Sequence, residues 1–179
     1  MPLTETELFI AYLDGDTDAF STLFQRVAPK LMRVMYRGLP SSFPADELVQ
    51  ETFLRAIRSG RDFDRSRPLL PWLFTIALNV RREAARRTRR RPNTDTETTP
   101  DTLPARSDNW ARAYDARRQI DRALAALPES QRSVIELHWF GGLGFSEVAE
   151  VLGIQLSAAK VRAHRGYKAM RAHLESESE

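Results

Sequence analysis

At 179 residues, 42% apolar and 28% charged, the chain has room for one large or two small soluble domains. It holds no cysteine, which excludes disulfides, thiolate metal sites and a cysteine nucleophile. Its histidines (His138, His164, His173) are too scattered for a metal cluster, so no metal or cofactor is expected. The net charge is only +3, but the pI near 9.6 and the clustered arginines make local basic patches that a polyanion meets.

The N-terminal stretch MPLTETELFIAYLDGD is acidic and lacks the basic flank and apolar run of a signal peptide. No apolar run approaches bilayer-spanning length, so the expectation is a cytoplasmic protein with no membrane insertion. Thr4 and Glu7 have capping-box spacing ahead of Leu8, Ile10, Tyr12 and Leu13. A second helix is expected from about Asp16, because Phe20, Leu23, Phe24, Val27, Leu31, Val34 and Met35 step by three and four. Pro29 is expected to kink it, and Gly38 and Pro40 to end it. In the next segment, Pro44 to Gly60, Val49, Phe53, Ala56 and Ile57 form a buried stripe. Asp46, Glu47, Gln50 and Glu51 lie on the other side, as a plain solvated face or as a binding surface.

Arg61 to Arg67 read as a polar loop of alternating charge. Pro68 and Pro71 then mark entry to a helix whose Trp72, Leu73, Ile76, Ala77, Val80 and Ala84 are spaced for burial. From Arg81 onward this helix turns cationic: Arg81, Arg82, Arg86, Arg87, Arg89, Arg90 and Arg91 are offset only by Glu83, a run that pairs with phosphates. Pro92 to Asn109 is rich in Thr, Pro and Asp with little to bury, and reads as a flexible acidic linker. Trp110, Tyr114, Ile120, Leu124 and Leu127 restore a helical period.

From Leu127 the pattern is a short helix, a break at Gly141 and Gly142, a second short helix, a turn at Gly153, and a long basic helix. Pro128 suits the first turn of a helix, Gly153 a positive φ, and Ser157 a cap. Ala158 and Ala159 open the last helix with small side chains. Lys160, Arg162, His164, Arg165, Lys168 and Arg171 follow, the helix-turn-helix pattern whose second helix enters a major groove. Gly166 is expected to weaken that helix by up to about 1 kcal/mol. The expected fold is all-α, two small helical domains joined by a flexible linker, spanning 1–91, 92–109 and 110–179. There is no glycine-rich phosphate loop and no paired acids in a catalytic setting, so an enzyme is not expected.

DELVQETFLRA (Asp46 to Ala56), PWLFTIALNVRREAARR (Pro71 to Arg87) and LPESQRSVIELHWFGGLGFSEVAEVLGI followed by KVRAHRGYKAMR resemble bacterial RNA polymerase sigma factors. The length, with only a linker between domains, resembles their small extracytoplasmic-function (ECF) group. The resemblance implies docking on a coiled coil of the largest polymerase subunit through Asp46, Glu47, Gln50 and Phe53. It places Asp62, Phe63, Asp64, Arg65, Ser66 and Arg67 where the family captures a base flipped from the −10 element. Trp72, Asn79, Arg81, Arg82 and Arg86 then belong to the same −10 and melting surface, with arginines gripping phosphates. For the −35 element the resemblance points to Ser157, Ala158, Lys160, Val161, Arg162, His164 and Arg165. Implied partners are core RNA polymerase, including the flap of its second-largest subunit, promoter DNA and an anti-sigma factor. The acidic linker is expected to run toward the RNA exit channel. A free-standing helix-turn-helix regulator is the alternative.

Overall fold

The computed structural model describes residues 2–35, 45–90 and 118–176. The linker 92–109 lies outside the described residues, as do Gly38, Pro40, Trp110 and Tyr114. Among the described residues every regular element is helical: α1 (Glu5–Leu13), α2 (Thr17–Met35), α3 (Ala45–Arg58), a 3₁₀ turn (Gly60–Asp62) and α4 (Leu69–Arg90) form the first half. In the second half, α5 covers residues 118–125, followed by α6 (Glu129–Ile135), α7 (Phe145–Leu152) and α8 (Leu156–Ser176).

Local chemistry starts the first two helices where the sequence asks for it. The Thr4 hydroxyl accepts the Glu7 N–H at 3.2 Å while the Glu7 carboxylate accepts the Thr4 N–H at 2.7 Å, closing a capping box. Asp16 Oδ1 accepts the N–H groups of Asp18 and Ala19 and so caps α2. Pro29 lies inside α2, which runs on through it to Met35. The stripe Leu23, Val27, Leu31 and Val34 is fully buried, so the apolar face held in register offsets the missing proline donor.

The second half begins with Pro128 just ahead of α6. Past Ile135 the helix widens over Glu136–Phe140 into a π turn, in which the Gly141 N–H donates to the Glu136 carbonyl at 3.1 Å. A Cβ on Gly141 would lie 2.5 Å from the Leu137 carbonyl oxygen and 3.1 Å from Phe74 Cζ, so only glycine closes this turn against the first half. Gly153 leaves α7 at φ 63° and ψ 39°, the left-handed cap expected of it. Helix α8 begins at Leu156, so Ser157 lies in its first turn instead of capping it.

The two halves do not keep separate cores. Val134, Leu137, Leu143, Val148 and Val151 join the buried cluster of the first half, while Leu124, Leu127 and Ile135 form a small satellite. Phe74 and Leu78, which the amphipathic reading of α4 left out, are 0% and 4% exposed. Helix α4 packs on α1, α2 and α3 and also on α7.

Ala159, Ala163 and Gly166 form the buried side of α8, four and three residues apart, and bring it close to α6. A Cβ on Gly166 would stand 2.6 Å from Ile135 Cδ1 and 3.4 Å from Gln131 Cβ. The weak helix former is therefore there for close approach. Gly166→Ala should be near neutral, since the propensity gain of about 1 kcal/mol offsets a shift of the flexible Ile135 tip. Gly166→Leu should destabilise by about 1–3 kcal/mol through overpacking, read by denaturant unfolding.

Candidate nucleic-acid interface

The loop between the 3₁₀ turn and α4 is built before any ligand arrives. Phe63 is its anchor: only 6% exposed, it meets Phe9 edge-on at 5.3 Å and Trp72 at 5.0 Å between ring centroids. Asp64 Oδ1 accepts both the N–H and the hydroxyl of Ser66, at 3.0 and 2.7 Å. The Ser66 side chain and then its N–H hold the Asp64 carboxyl below its ordinary pKa. Arg65 forks onto Asp14 at 3.0 and 2.7 Å. This tethers the loop to the end of α1 and lowers the Asp14 pKa through the Arg65 hydrogen bond. Asp62 and Arg67 are exposed on the same loop. Of the residues assigned to base capture, Phe63 therefore supports the loop from within and the others face outward.

On α4 the exposed residues Thr75, Asn79, Arg82 and Arg86 recur at helical spacing and make one row. Beside it lies a cleft of about 480 Å³ lined by Arg55, Arg58, Ser59, Ile76, Asn79, Arg82, Glu83 and Arg86. Arg55 braces the cleft wall: its Nη1 and Nη2 donate to Glu83 at 2.9 and 2.8 Å, and its Nε to Glu51 at 2.7 Å. The lone acid of the arginine run is thus taken up by a partner on α3, and Arg55 holds the Glu83 carboxyl below its ordinary pKa. Arg82 Nη1 donates to Asn79 Oδ1 at 3.3 Å, which takes up the Asn79 amide oxygen. Arg55, Arg58 and Ser59 were not singled out from sequence. The Glu51–Arg55 spacing of four was the available signal, but the bridge to Glu83 joins two helices and leaves no trace in local pattern.

Arg81 stands apart. Its side chain is 13% exposed and is drawn inward: Nη1 donates to the Val34 carbonyl at 3.0 Å and to Glu136 Oε2 at 3.4 Å. Its neighbour Arg82 is the one that reaches the surface.

In the second half, Ser157, Lys160, Val161, His164 and Arg165 are exposed along α8, and Ala158 and Arg162 are half-buried on its flanks. This row lies opposite the buried Ala159, Ala163 and Gly166, so the small-residue stripe that seats α8 also aims the basic row at solvent. On α3, Asp46, Glu47 and Gln50 are exposed. Phe53 is not on that face: it is 3% exposed and packs on Phe20 and Phe24 at 5.7 and 5.0 Å. The apolar residue on the exposed side is Leu54, 47% exposed, four residues after Gln50 and seven after Glu47. Among the described residues no group of acids and histidines could hold a metal ion, and no helix is long and apolar enough to cross a membrane.

Two family models match the chain, Sigma-70 region 2 over residues 23–91 and Sigma-70, region 4 over residues 117–170. The RNA polymerase sigma factor CarQ of Myxococcus xanthus is 35% identical over 164 residues, covering 89% of this chain and 91% of CarQ. The ECF RNA polymerase sigma factor RpoE of Cereibacter sphaeroides is 32% identical over 160 residues, covering 89% and 88%. Among solved structures, CnrH in complex with the cytosolic domain of CnrY superposes with a TM-score of 0.72 at 29% identity, covering 96% of this chain and 97% of that one. The sigma factor RpoE of Bartonella quintana, in complex with the anti-sigma factor NepR, shares the fold with a TM-score of 0.67 at 21% identity, over 87% and 96%.

The Arg55–Glu83 brace gives a pH signature. A carboxyl whose pKa is lower folded than unfolded adds stability above its unfolded value and loses it as pH falls through the folded one. Glu83 is such a group, so Glu83→Gln should flatten the fall in melting temperature between about pH 5 and pH 3, read from melts of both proteins across that range.

Proposed function

The chain belongs to the sigma-70 family of RNA polymerase sigma factors, in its ECF group, and from that membership we propose how its residues share the work of starting transcription at promoters. The first half binds core polymerase and the −10 element, and holds the unpaired strand. The second half places α8 in the major groove of the −35 element. RNA synthesis itself belongs to the polymerase, and this chain contributes selection and melting without a catalytic step. Family membership sets aside the free-standing regulator.

The observation that carries the division is that each half presents its own basic row on a long helix, one on α4 and one on α8, within separate family matches. On α4 and its loop, the arginines position phosphates while Asn79 and the braced loop select bases. A loop already tied down by Asp14 and Phe63 gives up little entropy when it receives a flipped base. On α8, Lys160 and Arg165 suit guanine edges or phosphates, and Val161 offers apolar contact to a thymine methyl. Docking on the polymerase coiled coil uses Asp46, Glu47 and Gln50 around Leu54, with Phe53 shaping the helix from the core side. Anti-sigma control is expected of an ECF factor, and the flap contact belongs to the second half.

Run-off transcription tests the function: core polymerase with this chain should initiate at discrete start sites on genomic template, and random initiation would refute it. Within that assay Leu54→Glu should lower affinity for core by roughly tenfold or more, as burying a charge at an apolar contact does. Asn79→Ala should change −10 preference and leave core affinity unchanged. Lys160→Ala or Arg165→Ala should cost about 1–3 kcal/mol on −35-dependent promoters if the lost contact is to a base.

A further inference from the structure

The cleft between α3 and α4 is concave and cationic at once. Its volume of about 480 Å³ lies within the range of sites that hold small molecules, yet Ile76 alone among its lining residues is apolar. Its one carboxylate, Glu83, is turned onto Arg55 at 2.9 and 2.8 Å, so these two offset each other and stiffen the wall. Arg58, Arg82 and Arg86 are left, all exposed. Arg82 gives one N–H to the Asn79 oxygen, and Arg58 and Arg86 hold no ion pair among the described residues. Guanidinium groups from two helices therefore line one space, with the Ser59 hydroxyl as a neutral donor beside them.

We propose that this cleft is a binding site for a diphosphate group, either free pyrophosphate or the polyphosphate of a nucleotide, and that its occupant takes Arg82 and Arg86 from the −10 strand. The phosphates of a strand each bring one negative charge. A terminal phosphate brings about −1.5 to −2 at pH 7 and three acceptor oxygens, and a second phosphate joined to it adds its own. Arg58, Arg82 and Arg86 are matched by the diphosphate and only in part by a diester. Each guanidinium can fork onto phosphate oxygens with two parallel N–H···O bonds, and Arg58 on α3 does so from the opposite wall to Arg86 on α4. The locked Arg55 keeps those walls apart. Ile76 offers an apolar contact to whatever the diphosphate carries. The site stands apart from the −10 assignment above, and only the competition rests on it. Occupation and strand binding are then linked, each lowering the affinity of the other by the same factor.

Calorimetry on the full chain tests the site with sodium pyrophosphate and with ATP, free of divalent metal, against sodium sulfate at matched low ionic strength. Pyrophosphate should bind roughly tenfold or more tighter than sulfate. ATP of equal or lower affinity assigns the site to the diphosphate itself, and ATP roughly tenfold tighter assigns it to a nucleotide. Arg58→Gln with Arg86→Gln, at exposed side chains, should lose roughly tenfold or more of the pyrophosphate affinity. Lys168→Gln with Arg171→Gln makes the same change in net charge on α8 and should leave it nearly unchanged. Pyrophosphate no tighter than sulfate, or equal losses in the two double variants, overturns the site. The competition is read separately, by anisotropy of a fluorescein-labelled random-sequence single strand of about 12 nucleotides at constant ionic strength. Saturating pyrophosphate should weaken that strand about threefold or more. A strand affinity that stays constant while pyrophosphate binds overturns the competition and the −10 assignment of Arg82 and Arg86, and the site stands.

Discussion

Helix α4 has to satisfy three surfaces at once, and the rest of the molecule is arranged by that demand. Trp72 meets Phe9 and Phe63 on one side, Phe74 meets the π turn at Gly141 on another, and the row Thr75, Asn79, Arg82 and Arg86 is left to solvent. A helix turns about 100° per residue, so adjacent positions are assigned to different surfaces. Arg81 and Arg82 show the consequence: the same side chain, one step apart, ties the halves together at one position and faces solvent beside the cleft at the next. Any change that rotated α4 by one residue would exchange these roles.

The acids next to the nucleic-acid surface act by occupying arginines selectively. Glu83 and Glu51 together take the whole fork of Arg55, which makes that arginine a strut between α3 and α4. The cleft keeps Arg58, Arg82 and Arg86 along its wall. Exposed ion pairs of this kind contribute about 0–1 kcal/mol each, so their value here is geometric: they fix where the other cations stand. Asp14 does the same for Arg65 on the loop. The composition of the loop and the arginine run therefore overstates the positive charge available to DNA, because part of it is spent on internal order.

How much of this could be read from residues alone follows from which contacts are local. The capping box at Thr4, the Asp16 cap, the left-handed Gly153 and the stripe of α2 all arise from neighbours within one or two turns, and the sequence carries them openly. Phe53 and Leu54 were harder. Both are apolar, and a period of 3.6 places Phe53 with Val49 in the stripe, but the family resemblance points to Phe53 on a polar face where Leu54 is the exposed apolar residue. The burial of Phe74 was illegible because an amphipathic pattern reports one buried side, and Phe74 stands against Gly141 from beyond a long acidic segment. For the same reason the inward turn of Arg81 and the close approach behind Gly166 needed the tertiary structure. Two helical regions were legible in the sequence, and the core they share was not.

The shared core also decides what holds the two halves together. Apolar contacts around Phe74, Leu137, Val148 and Val151 lose little with salt, whereas the exposed Arg67–Glu150 pair weakens as salt rises. A buried pair such as Arg81–Glu136 adds little net stability, because desolvation cancels most of its attraction. What holds the two halves together is therefore mostly apolar.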